Sequence, residues 1–249
     1  MSFTAKLQAA LVPMSNGNLE FSWINARYNG INLLPDEAFS AGAEMAVRQD
    51  AAMEGKTCDV KFSSSSLVRD YEEHTGRKIS EESTANLPSD VRQETIRSLF
   101  RNKGALATSA NWEGERRIKL TSCLKQASAH FHRIADFIRQ GKPVVGCFRV
   151  DEEFHTLEPE EIYHCEAETE AETHGQIRFA HYVLFVGYGY DIYDEAYLVF
   201  LNSLGTGFGN NGFGRVYFDE IYKDWFYVLK AKAPAVAETG ASTSSNIAQ

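Results

Sequence analysis

Two neighbouring stretches of the chain decide its fold, HYVLFVGYG at residues 181–189 and LNSLGTGFGNNGFGRV at residues 201–216. The first begins with His181 and continues as an apolar and aromatic run, which predicts a buried strand. The second includes Asn202 at the end of another predicted strand, residues 197–201. Because a hairpin-like connection can join the two strands, we expect these side chains to lie together, where the amide would fix the tautomer of the imidazole.

The glycines that follow Asn202 fit the pattern GxGxxG at residues 207–212. A dinucleotide site needs a helix that opens at these glycines, so that its N-terminus meets the pyrophosphate. Residues 213–218 instead have the pattern of a strand. The glycines therefore indicate a turn rather than a nucleotide site.

Helical patterns precede the strands along the chain. Leu124, Ala127, Phe131, Ile134 and Ile138 follow a helical stripe, and we expect that helix to end near Gly141, before a proline. Short strands bounded by turns are then predicted at residues 144–150, 182–187, 197–201, 216–218 and 225–229. Helices first and strands later predict an α+β fold.

The composition excludes several classes of protein. The 249 residues carry 25 Lys and Arg against 34 Asp and Glu, a net charge of −9, which is poorly suited to nucleic acid or to an anionic membrane surface. No apolar run is long enough to span a membrane, and no secretory signal is recognisable. The four cysteines and seven histidines show no metal-ligand spacing. We therefore expect no cofactor, no metal and a cytoplasmic location with reduced thiols.

Cys58, in GKTC at residues 55–58, precedes a helical pattern that begins near Lys61. A thiol at a helix N-terminus has a lowered pKa and becomes nucleophilic. It also needs an imidazole to take its proton and a third group to orient that imidazole, and His181 and Asn202 supply both. A buried structural thiol is the alternative role for Cys58.

These motifs together resemble the papain/cathepsin family of cysteine peptidases. HYVLFVGYG resembles the family's histidine strand, and LNSLGTGFGNNGFGRV resembles its asparagine segment, with weaker resemblance over most of residues 45–230. The resemblance implies a two-lobed α+β fold over residues 1–232, with the active-site cleft between the lobes. The helical lobe would take about 50–140, and an antiparallel β-barrel-like lobe about 1–49 and 141–232. We expect residues 233–249 to be a disordered tail.

By the same resemblance, Cys58 would attack a peptide or amide carbonyl and form an acyl-enzyme. His181 would act as base and then acid, Asn202 would orient His181, and Gln49 would help to form the oxyanion hole. The implied partner is a peptide or protein substrate.

The sequence also departs from the family pattern. Asp59 stands where the family has a bulky aromatic after the nucleophile, and its carboxylate would oppose thiolate formation. The two tryptophans of the asparagine segment are Leu204 and Phe208. A competing register aligns AFSA at residues 38–41 with the family's AFSA, and it places Asp36 at the nucleophile position. We prefer Cys58, because this register keeps the Thr-Gly turn at residues 75–76 at the expected distance.

Three functions follow from these alternatives. The leading one is a cysteine peptidase or amidase. A catalytically inactive relative that binds peptides or a protein is the second, and an acyltransferase that uses the same thiol is the third. No inhibitory pro-segment is recognisable, which favours narrow, weak or no proteolytic activity.

Overall fold

The computed structural model describes residues 11–22, 37–78, 89–110, 112–165, 180–202 and 206–232. The helices are α1 (Glu37–Met53), α2 (Ser64–Thr75), α3 (Ser89–Asn102) and α4 (Phe131–Arg139). The strands are β1 (Val12–Pro13), β2 (Leu19–Ser22), β3 (Lys61–Phe62), β4 (Ala105–Thr108), β5 (Arg116–Ile118), β6 (Leu120–Gln126), β7 (Val144–Arg149), β8 (Ile162–Tyr163), β9 (Ala180–Tyr190), β10 (Ala196–Leu201), β11 (Phe213–Tyr217) and β12 (Phe226–Ala231).

Nine of these strands form one large sheet, ordered β6-β12-β7-β9-β10-β11-β8, with the β1–β2 hairpin paired to β9. Its pairs are antiparallel except β8 with β11. Within the described ranges the sheet stays open rather than closing into a barrel. The α+β fold is confirmed, and the strands that apolar runs predict after residue 143 are all present.

The large sheet is buried on both faces, because successive side chains along each strand point alternately into two cores. On one face, Val145 and Leu184 pack with α1. On the other face, Phe148 and Phe185 belong to the core that contains Ile134 of α4. α1 approaches the sheet closely at Gly42, where a Cβ would lie 2.6 Å from Leu229 Cδ1.

A second, three-stranded sheet of β3, β4 and β5 lies with α2 and α3. Asp70 of α2 is buried and accepts hydrogen bonds from Arg117 of β5 and from Lys103 after α3. These two cations lower the pKa of Asp70 against the opposing effect of burial. The ion pairs therefore join α2 to the strand and helix beside it.

The helix predicted from Leu124 onward is wrong in its first part. Leu124 lies in β6 and is 54% exposed, and α4 begins only at Phe131. β6 pairs with β12 along its whole length, and this ladder of backbone hydrogen bonds overrides the helical spacing of the side chains. The predicted disordered tail, residues 233–249, lies outside the described residues. None of the described helices is long and apolar enough to cross a membrane.

A buried ion pair holds the β1–β2 hairpin to the rest of the large sheet. Arg215 of β11 donates from Nε to the carboxylate of Glu20 at 2.6 Å, and both side chains are almost fully buried. The hydroxyl of Tyr197 donates to the same carboxylate at 3.1 Å. A buried charge is tolerated when it is paired and hydrogen-bonded, as it is here.

Replacing Arg215 with Leu should strongly destabilise the fold. The change leaves the Glu20 carboxylate buried without its cation, which costs about 3–5 kcal/mol of unfolding free energy. Urea unfolding followed by circular dichroism measures this loss. Lys56→Met, which removes an exposed ion pair with Glu54, is the control and should change stability little. Equal losses in the two variants would contradict the role assigned to the buried pair.

Candidate active site

His181 and Asn202 lie at the adjacent ends of two paired strands. His181 is near the start of β9, and Asn202 follows the last residue of β10. The antiparallel register pairs Leu184 with Leu201, which brings the two side chains together. The Nε2 atom of His181 lies 2.7 Å from the Oδ1 atom of Asn202. Because an amide oxygen only accepts, Nε2 carries the proton and Nδ1 of the neutral ring is left as the basic atom.

The glycine-rich segment after Asn202 holds the asparagine in place. The backbone N–H of Asn202 donates to the carbonyl of Gly212 at 2.9 Å. Gly209 and Gly212 have positive φ, which a glycine adopts without strain. β11 begins directly after them, so the segment is a turn before a strand, as predicted, and not the opening of a helix.

Aromatic rings surround the imidazole of His181. The ring of Phe154 lies 5.1 Å from it and that of Phe148 lies 6.2 Å from it, between centroids. Phe208 packs on Phe154 at 5.1 Å. Phe208 is the position where the family pattern has its second tryptophan, whereas Leu204 lies outside the described residues. The sequence analysis did not predict the contacts of Phe148 and Phe154. Each lies 27 or more positions before His181, and no local pattern indicates a contact over that distance.

Burial lowers the pKa of His181, and the nearby imidazole of His155 lowers it further. The hydrogen bond to Asn202 acts in the opposite direction but is the smaller effect. His181 is therefore neutral at pH 7. Its Nδ1 atom is available to accept a proton or a hydrogen bond.

Helix α1 runs along the large sheet so that its first turn lies toward His181. Gly42, in its second turn, packs against Val145 and Leu184. Gln49, near its end, donates a hydrogen bond to the carbonyl of Gln140, before β7. The register of β7 with β9 places His181 opposite Phe148, at the other end of β7. Along the direction of the strands, the start of α1 therefore lies at the end of the sheet where His181 stands. The end of α1 lies at the opposite end, near Gln140.

Cys58 lies toward the other end of α1. The N–H of Lys56 donates to Ala51, and the guanidinium of Arg48 donates to the carbonyl of Val60, so Cys58 sits level with residues 48–51. At 1.5 Å per residue, that level is roughly 17–21 Å along the axis from the start of α1. The structure therefore does not bring Cys58 to His181.

Cys58 is also not at a helix N-terminus. β3 intervenes, and α2 begins at Ser64 with Ser63 as its N-cap. The thiol is half-buried against the core around α1. Asp59 accepts hydrogen bonds from Ser109 and Ala110, which lower the pKa of its carboxyl. Cys58 therefore lacks the helix-dipole activation that the sequence predicts.

Gln49, the predicted oxyanion-hole residue, is also apart from His181. The side chain of Gln49 is bound to Gln140, so it does not form an oxyanion hole beside Asn202. Cys123 and Cys147 are buried, and burial raises the pKa of each thiol to about 12. In the part of the chain that the structure describes, no group of three or more His, Cys, Asp or Glu side chains could hold a metal ion.

The helix that starts on the side of His181 is thus the one that contains AFSA at residues 38–41. Ala38, Phe39 and Ala41 are buried, and Phe39 packs on the ring of Tyr227 at 5.5 Å. Asp36, the nucleophile position of the competing register, directly precedes α1 in the sequence and lies outside the described residues.

Comparison with known families finds a match to the sequence model of the papain family cysteine proteases over residues 38–224. The matched range begins at the first residue of AFSA. No curated protein sequence matches the chain.

Several solved structures share the fold. Xylellain, a cysteine protease from Xylella fastidiosa, has a TM-score of 0.59 at 13% identity, covering 90% of this chain and 88% of its own. Digestive procathepsin L 3 from the larval midgut of Tenebrio molitor has a TM-score of 0.57 at 15% identity, covering 93% and 79%. The proform of the ragweed pollen allergen Amb a 11 has 0.55 at 15%, covering 86% and 65%. At these identities the likeness concerns the fold alone.

His181 should titrate below the ordinary histidine pKa of 6.5, and His155→Ala should raise its pKa because one source of positive charge is removed. The unfolded chain binds a proton that folded His181 resists, so this group makes stability fall as pH drops below about 6.5. NMR titration of the imidazole Cε1–H resonances measures the pKa. His74→Ala, on α2, is the matched control, and an equal shift in both variants would contradict the assignment.

Proposed function

Because the chain belongs to the papain family of cysteine proteases, we propose that it is a member that binds peptides in the family's cleft without cleaving them through a thiolate. One observation carries the proposal. Cys58, the predicted nucleophile, is level with the last turns of α1 and lies away from the His181–Asn202 pair. Peptidase and acyltransferase activity both need a thiol that can give its proton to the imidazole and so become a thiolate.

The sequence before α1 supports the same proposal. In the AFSA register, Asp36 takes the place of the nucleophile and Glu37 takes the place of the aromatic that follows it. A carboxylate directly before a helix is stabilised as an anion by the first N–H groups of that helix. Such an anion accepts hydrogen bonds and attracts cations, and it forms no acyl-thioenzyme.

The site contains residues suited to binding a peptide without reacting with it. His181 is oriented by Asn202, is neutral, and is enclosed by Phe148 and Phe154. A neutral imidazole whose Nδ1 carries no proton can accept a hydrogen bond from a peptide N–H. This geometry supports a binding site that uses the imidazole as a hydrogen-bonding group.

Introducing a thiol at position 36 should create reactivity that the wild-type chain lacks. In Asp36→Cys/Cys58→Ser, the new thiol should react with iodoacetamide at least about ten-fold faster at neutral pH than Cys58 of the wild type, because His181 can take its proton. Peptide mapping by mass spectrometry measures the rates. His181→Ala should slow the new thiol and leave Cys58 of the wild type unchanged. A Cys58 that reacts at the faster rate and slows with His181→Ala would instead establish a thiol peptidase site.

Peptides should bind at His181 and be recovered intact. A decapeptide library added to the wild-type chain should shift the Cε1–H resonance of His181, and mass spectrometry should find no new fragments. Cys58→Ala should retain the shift, because Cys58 is remote from the ring. Fragments that disappear in Cys58→Ala, or an unchanged His181 resonance, would overturn the proposal.

A further inference from the structure

Large apolar side chains are exposed at the end of β9 that is remote from His181. Ile192 is 61% exposed and Tyr193 is 78% exposed, and both lie in the turn between β9 and β10. Leu19 of β2 is 39% exposed. We call Leu19, Ile192 and Tyr193 the hairpin patch.

The hairpin patch is formed where two turns meet. Leu19 is the cross-strand partner of Tyr190, two residues before Ile192. In the β1–β2 turn, a Cβ at Gly17 would lie 3.1 Å from Cγ2 of Ile192, so the turns are in contact. The three exposed side chains therefore belong to one continuous surface.

The turn that carries Ile192 and Tyr193 is fixed by Asp191. Its Oδ1 accepts from the N–H groups of Tyr193 and Glu195, each at 2.8 Å. Its Oδ2 accepts from the hydroxyl of Tyr217 at 3.0 Å, and its N–H donates to the carbonyl of Glu195. A turn held in this way presents its apolar side chains with little conformational entropy left to lose on binding.

The surroundings of the hairpin patch are acidic. Asp194 and Glu195 are exposed in the turn itself, and exposed Glu160 accepts a hydrogen bond from Ser15 of the β1–β2 turn at 3.3 Å. Residues 11–22 and 187–199 contain no Lys or Arg. The nearby Arg215 is buried and neutralised by Glu20. These three carboxylates are exposed, which favours a positively charged partner.

We propose that the hairpin patch is a docking surface for a basic segment of a partner protein, in which large apolar residues stand between Lys or Arg residues. The apolar residues of the partner would bury Ile192 and Tyr193 at the centre, and its cations would face Asp194 and Glu195 at the rim. An exposed apolar surface with a polar rim is typical of a protein interaction site. Nine residues of β9 separate the patch from His181, about 30 Å of strand, so this surface is distinct from the proposed peptide site.

The test uses fluorescein-labelled peptides of alternating Lys and Leu, alternating Glu and Leu, and alternating Lys and Ser. Fluorescence anisotropy at physiological ionic strength should show binding of the Lys–Leu peptide alone. The double variant Ile192→Ser/Tyr193→Ser should weaken that binding at least about ten-fold, as expected for central aromatic and aliphatic contacts. Asp194→Asn/Glu195→Gln should weaken it as well, and this loss should shrink as salt is added.

Two matched variants control for nonspecific electrostatic and hydrophobic association. Glu113→Gln/Glu115→Gln removes two exposed carboxylates elsewhere, and Leu124→Ser removes an exposed apolar side chain from β6. Both should leave the affinity unchanged. Equal loss in these controls, or binding that survives Ile192→Ser/Tyr193→Ser, would overturn the proposal. Self-association in sedimentation that the same double variant abolishes would also overturn it, because the occupant would then be a second copy of the chain.

Discussion

The hydrogen bond between His181 and Asn202 is the constraint on which the site depends. Both residues lie at strand ends, and their side chains meet only because β9 and β10 pair in one register, with an irregularity between Val199 and Phe200. A shift of one residue would turn every side chain of β10 to the opposite face and would leave Asn202 buried in apolar surroundings. The glycine turn and the aromatic rings around the imidazole preserve this register, whatever chemistry the site performs.

The direction of α1 decides what the imidazole can do. Contacts at Gly42 and Gln49 orient the helix so that its start, and not the segment after its end, lies toward His181. Under the proposed function, the residue just before α1 determines whether the site is reactive, rather than a cysteine elsewhere in the chain. Under the same proposal, Cys58 is not the nucleophile, because it lies level with the last turns of α1 and away from His181.

The sequence alone predicts the sheet well, whereas it leaves the choice of nucleophile open. Apolar runs bounded by turns identify the strands after residue 143, because burial on both faces leaves few polar interruptions. The helical stripe through Leu124 misleads, since strand pairing with β12 is a long-range interaction that local spacing does not record. The choice between Cys58 and Asp36 depends on which helix start faces His181. Gly76 ends α2 with positive φ as the Thr-Gly turn of the Cys58 register requires, so that register has a reasonable local pattern and only tertiary packing distinguishes the two.

Strand β9 links the two proposed surfaces. Residues 182–189 are buried throughout, which makes the strand a rigid spacer between His181 at one end and the hairpin patch at the other. An extended partner segment covers about 30 Å with roughly nine residues, so one continuous chain has the length to reach both surfaces. If a single partner engages both, the second contact becomes intramolecular, and the affinity of the whole exceeds that of either contact alone. Under the proposed function, ligand selection therefore needs no reactive thiol, because it uses binding free energy at two fixed positions and no chemical step.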